Sequence, residues 1–202
     1  FDDDPQWEDG GHVLPAVLVD SVTAATTSSD DSWSFTHTVG TTYGNRVLVV
    51  LIAMGQVGAV TGVTYDGDAL SRHSTVSNGA YDAEIWYRVN PATGSNTLAL
   101  ASSDGNDDWS VGAISFYNVN QSVPLGTAVT STGTSATPSI DVGSAADDIV
   151  VDVVSIGTGS ITSTPGSGQT ELFDGTGSGN QSGNGSRERA TTTTTTMSET
   201  LS

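Results

Sequence analysis

The sequence predicts an all-β fold, a two-sheet antiparallel sandwich of jelly-roll or lectin-like type. Three observations predict it. About a dozen short segments with strand character recur at spacings near ten residues, and no segment carries helical periodicity. The most apolar run, residues 45–54 (NRVLVVLIAM), has the length of a strand, is rich in β-branched residues and lies between Gly44 and Gly55. Its two faces are equally apolar, as expected when a second sheet covers one side and loops or neighbours cover the other. A chain of 202 residues suits one large β domain, expected over residues 16–202 behind an acidic arm, 1–15.

Taken in order, the arm FDDDPQWEDGGHVLP has no periodicity and carries Phe1 and Trp7 among acids, so it is expected to order only against a partner or the domain flank. Residues 16–24 alternate as a first strand. In SWSFTHTV, 32–39, Trp33, Phe35, His37 and Val39 share one side, which makes a half-buried strand with His37 as a hydrogen-bonded core or edge histidine. After the central run, Asp66-Gly67 joins 61–65 to 68–76 in a tight hairpin, because both central turn residues need positive φ. Residues 82–89 place Ala83, Ile85, Tyr87 and Val89 on one face and Glu84, Trp86 and Arg88 on the other. Strands are further expected at 96–101, 109–119, 125–130, 139–142 and 149–156. Glycine and serine dominate 157–185, which predicts loops around one edge strand at 169–173. The threonine run 191–196 favours extended structure, with an O-glycosylated stalk as the lesser alternative.

Charge narrows the setting. Lys+Arg is 5 against Asp+Glu 23, a formal net charge of -18, and every basic residue is an arginine: Arg46, Arg72, Arg88, Arg187 and Arg189. An acidic surface without lysine repels itself in dilute buffer, whereas at molar salt the screening length falls to about 3 Å. Adaptation to brine is therefore expected, with an acidic secreted protein as the bland alternative. No basic patch exists to replace phosphate counterions, which disfavours nucleic acid. The absence of cysteine excludes disulfides and thiolate chemistry, and no apolar run is long enough for a helical membrane span. Sequons at Asn120, Asn180 and Asn184 point to an export route and an extracellular location.

Candidate sites are few. Trp86 flanked by Glu84 and Arg88 offers an aromatic platform with polar edges, the pattern of a glycan-binding face, against the bland reading of a core Trp with charges at its margins. Asp104, Asn106 and Asp108 alternate like the first calcium ligands of an EF-hand loop, but the later glycine and glutamate are missing. A glycosidase needs a second facing carboxylate, and no other strand-borne Glu accompanies Glu84. Neither His37 nor His73 has a nucleophile elbow near it, so no enzyme and no cofactor is expected.

The series SFTHTVGTTYGNRVLVV, VTGVTYDGDAL, AEIWYRVNPATGSNTLAL, GAISFYNVNQSVPLGT and DDIVVDVV resembles a recurrent, largely uncharacterised domain of bacterial, archaeal and viral surface proteins. The resemblance covers residues 16 to the end, rests on hairpin turns, buried strands and the corner Val89-Asn90-Pro91, and transfers no catalytic residue. It implies a β-sandwich exposed on a cell or virion. Sequences of this type follow the Thr-rich stretch with a closing apolar strand; here the expectation is that the chain continues past Ser202 or that another chain completes the edge. The expected role is a structural component of an extracellular assembly, virion or appendage, joined through sheet edges and the terminal arm to copies of itself or other structural proteins. A glycan-binding adhesion module is the alternative.

Overall fold

The computed structural model describes residues 16–27, 31–55, 58–103, 107–176 and 181–202. Among them are fifteen strands and no helix: β1 (Leu18–Thr27), β2 (Ser32–Val39), β3 (Val47–Gly55), β4 (Val60–Tyr65), β5 (Asp68–Ala69), β6 (Ser71–Ser77), β7 (Tyr81–Val89), β8 (Gly94–Ser102), β9 (Asp108–Tyr117), β10 (Ser139–Gly143), β11 (Ile149–Ile156), β12 (Ser163–Pro165), β13 (Thr170–Thr176), β14 (Ser182–Arg189) and β15 (Thr194–Leu201). All pairings are antiparallel. The sheet orders are β1-β9-β3-β7-β6, β2-β8-β4-β5, β11-β14-β13 and β10-β15-β12. The all-β sandwich stands, but these orders do not display jelly-roll connectivity, and there are four sheets rather than two.

β3 explains the stacking. All nine of its residues are buried. Leu48, Val50, Ile52 and Met54 point into a core shared with the four-stranded sheet, where Val63, Tyr65, Leu98 and Leu100 meet them. Val47, Val49 and Leu51 point the other way, against Phe173, Ile149, Val151 and Val153 of the β11-β14-β13 sheet. Each fully buried Leu, Ile or Val contributes about 1.5–3 kcal/mol, so β3 is the apolar spine of both interfaces. The cover on its second face is a sheet, not loops. A third, smaller core of Val150, Met197, Ala190, Ile140 and Val142 joins β11-β14-β13 to β10-β15-β12.

Several expectations need correction. The Asp66-Gly67 turn has positive φ at both positions (53° and 80°), as the hairpin requires, but its second arm is only β5; after Leu70 the chain crosses to the five-stranded sheet as β6. Residues 125–130 form no strand. In the region 157–185 the expected edge strand is β13, at the margin of its sheet, but the region also contains β12 and the start of β14, a central strand. Its glycines permit close layering: a Cβ on Gly183 would collide with the Cβ of Ala53 and lie 2.8 Å from that of Ser110. The Thr-rich segment is extended from Thr194 on, as expected, and β15 pairs with β10 on one side and β12 on the other.

Candidate functional site

A groove of about 1120 Å³ lies beside β11. β11 hydrogen-bonds to β14 along one edge, and its other edge has no strand partner among the described residues. Eight residues at about 3.3 Å each make that free edge roughly 26 Å long. The groove floor is the uncovered part of the five-stranded sheet: Tyr81, Ala83 and Ile85 of β7 and Ser74 and Val76 of β6. The three-stranded sheet has too few strands to cover this floor. Ile140, Val142 and Met197 of the outer sheet line the opposite side. Residues 123–135 pass over the groove as irregular chain, with Val123 and Val129 exposed, and no backbone hydrogen bond ties 124–135 to a strand among the described residues.

The arrangement is a sheet with a place for one more strand. Backbone N–H and C=O groups along β11 need partners, and alternate side chains of an added strand would face the apolar floor or the outer sheet. Three carboxylates, Asp148 just before β11, Asp152 of β11 and Glu199 of β15, also line the groove.

Comparison with known protein families, with curated proteins and with solved structures finds no match for the chain.

The sequence-predicted sites fare differently. Glu84 and Trp86 share a face of β7 as expected, but that face packs against the four-stranded sheet: Trp86 is 8% exposed and Glu84 2%. The Trp86 indole N–H donates to Glu84 Oε2 at 2.6 Å, while Arg72 Nη1 and Thr75 Oγ1 donate to Oε1 at 3.2 and 3.1 Å. The Arg72 guanidinium also lies over the Trp86 ring, 5.7 Å from its centroid. Burial pushes the Glu84 carboxyl up, and the Trp86, Arg72 and Thr75 donors work against that shift. Arg88 is spent on Asp68 at 2.7 Å and the Ala69 carbonyl at 2.8 Å. Glu84 and Trp86 form a polar anchor inside the sandwich with Arg88 at its part-exposed margin, and no aromatic face there is open to a sugar.

For the calcium reading, Asp104 and Asn106 lie outside the described residues; Asp108 opens β9, is 3% exposed and stands opposite Gly55. Among the described residues no cluster of three His, Cys, Asp or Glu is arranged to hold a metal. Phe1, Trp7 and Asn180 also lie outside them. Asn120 is exposed, and its Oδ1 accepts from the backbone N–H of Ser122 and Val123. Asn184, by contrast, is fully buried on the face of β14 turned to the outer sheet, so the folded chain offers no glycan acceptor there.

His37 is a core histidine. It is 1% exposed, with Nδ1 3.0 Å from Thr23 Oγ1 and Nε2 3.4 Å from Ser21 Oγ. The Ser21 hydroxyl donates to the Thr38 carbonyl, so its proton is committed. Ser115 and Tyr117 donate to Asp20 at 2.8 and 2.7 Å, as does the Gly40 N–H at 2.7 Å. The network clasps β1 to β2 and has no carboxylate on the imidazole. Burial pushes His37 down to about 4, against a weaker pull from Asp20.

Sequence reasoning missed the groove and its acids. The signal for the acids was present: Asp152 interrupts the apolar run IVVDVVSI, and Glu199 sits in a β-forming stretch.

Proposed function

We propose that this chain is a structural component of an extracellular assembly in a high-salt setting, a virion or cell-surface appendage, and that it joins its neighbours by strand addition. The free β11 edge above an apolar floor is the observation that carries the reading. An added strand satisfies the edge hydrogen bonds and removes the floor from water in one step. The resemblance to surface-protein domains supports the setting, and the net charge of -18 supports the brine, where screening lets such acidic faces approach one another. Glycan binding at Trp86 would require the ring to leave the core, so assembly is the better reading. The donor is the arm 1–15 of a neighbouring copy.

Sedimentation velocity in multi-molar salt tests this. Salt-dependent oligomers are expected for the whole chain and monomers on deletion of residues 1–15. Val76→Glu, which places a charge on the half-buried groove floor of an edge strand, is expected to weaken the oligomer with an unchanged circular dichroism spectrum. A monomer of the whole chain at every salt concentration refutes the proposal.

A further inference from the structure

The space between β11-β14-β13 and the outer sheet is apolar at one end and acidic at the other. At the acidic end Glu199 is 3% exposed. Its Oε2 accepts from Ser163 Oγ at 2.8 Å, and its Oε1 has no hydrogen-bond partner. Asn184, fully buried, has neither its side-chain oxygen nor its nitrogen partnered, and its β13 neighbour Asp174 accepts from the Ser163 N–H. The groups around Glu199 are of one sign. Asp152 faces it from β11, and Glu171 and Asp174 from β13; all three carboxylates repel it. In register, Glu188 is the remaining charge on this face of β14. β12 has no charged residue, and Asp141 of β10 is held by Thr196 Oγ1 at 2.6 Å on the exposed side. Arg187 and Arg189 alternate onto the opposite face of β14. No cation therefore offsets the buried Glu199 and the half-buried Asp152 across this interface, and the two β13 acids, Glu171 and Asp174, reach solvent.

We propose that Glu199 is a proton-sensitive latch: with a proton on its carboxyl the β10-β15-β12 sheet sits closed on β11-β14-β13, and loss of that proton loosens the outer sheet and widens the groove at the β11 edge. A neutral carboxyl tolerates an apolar wall and an O–H can turn to a neighbouring oxygen, whereas a carboxylate with one donor among three others is left desolvated and repelled. Asp152 differs, because the Ser186 N–H and Oγ both donate to its Oδ1, at 2.9 and 2.7 Å. Burial, strengthened by Asp152, Glu171 and Asp174 and opposed by Ser163, pushes Glu199 up to about 7. The latch is a property of the single chain and does not depend on assembly.

Amide hydrogen exchange on the whole chain, corrected for intrinsic rates, at pH 5.5 and 8.5 is the test. If opening returns Glu199 to its ordinary value of 4.5, protection of β10, β12 and β15 should fall roughly thirtyfold between the two pH values, with β3 and β9 unchanged. Glu199→Gln, neutral at both pH values, should remove the difference and hold the sheet closed at pH 8.5. The same fall in Glu199→Gln, or an equal fall in β3, overturns the proposal. Should that variant not fold, the wild-type profile alone decides: a midpoint near 7 confined to the outer sheet supports the latch, and no transition, or one spread over every sheet, refutes it.

Discussion

Phe173 gives the most exacting test of the layered architecture. Its ring, 4% exposed, lies between two glycines on different sheets, Gly112 of β9 and Gly185 of β14. A Cβ built on Gly112 would stand 2.5 Å from Phe173 Cδ1, and one on Gly185 would collide with Cε1. The ring cannot slide away from one glycine without meeting the other. Gly112→Ala should therefore act as overpacking, at about 1–3 kcal/mol, and Phe173→Ala as cavity formation, at about 3–5 kcal/mol. In the double variant the new methyl enters space the ring has left, so its penalty disappears. The double variant should be about 2 kcal/mol more stable than the sum of the single effects predicts. Urea unfolding, followed through the buried Trp86 and Trp109, measures all three. Additivity within about 0.5 kcal/mol would mean that the ring is not held in this slot and that the third sheet does not dock as described.

Two further outcomes follow from buried polar groups. Glu84→Ala leaves the Trp86 N–H and the Arg72 guanidinium without their acceptor, and should destabilise the chain by about 3–5 kcal/mol with a shift of the Trp86 emission; Glu84→Gln, which still accepts one bond, should lose less. His37, lowered to about 4 from 6.5, binds fewer protons folded than unfolded, so stability should fall as pH drops from 6.5 toward 4, by at most about 3 kcal/mol. His37→Asn should flatten that limb, and the His37 ring resonance should titrate near 4; a normal titration near 6.5 would refute the buried assignment.

Much of the fold was legible because it is written in local periodicity. β2 falls where its alternation places it and β11 where its apolar run does, the Asp66-Gly67 turn forms, and Glu84 and Trp86 do share one side of β7. The failures have a common cause. SGNGSRER reads as loop because small residues usually mark one, yet at β14 they are small because Ala53 and Phe173 press on them from neighbouring layers. Residues 125–130 read as a short strand between Ser/Thr/Gly turns, yet they cross the groove without joining the free edge of β11, and pairing of that kind is non-local. Periodicity likewise assigns Trp86 to a face without saying what covers it. The groove was least legible of all, since it arises where four segments far apart in the chain leave a sheet edge unmatched.

The same layering separates the effects of acid and alkali. His37 clasps β1 to β2, joining the first two sheets, and is accommodated only when neutral. Glu199 lies between the last two and is accommodated only when protonated. Protonation of His37 costs stability below about 6.5, ionisation of Glu199 costs stability above about 4.5, and the second loss is complete only beyond 7. The two slopes oppose each other through the interval where both titrate, so their sum is flat there and net loss is confined to its flanks, down to about 4 and up to about 7. Acid therefore attacks the five-stranded and four-stranded pair that carries the main core, whereas alkali attacks the outer sheet, whose apolar core is the smallest of the three. The outer sheet lies beside the free edge of β11, so its loosening in alkali would act next to the surface on which strand addition would take place.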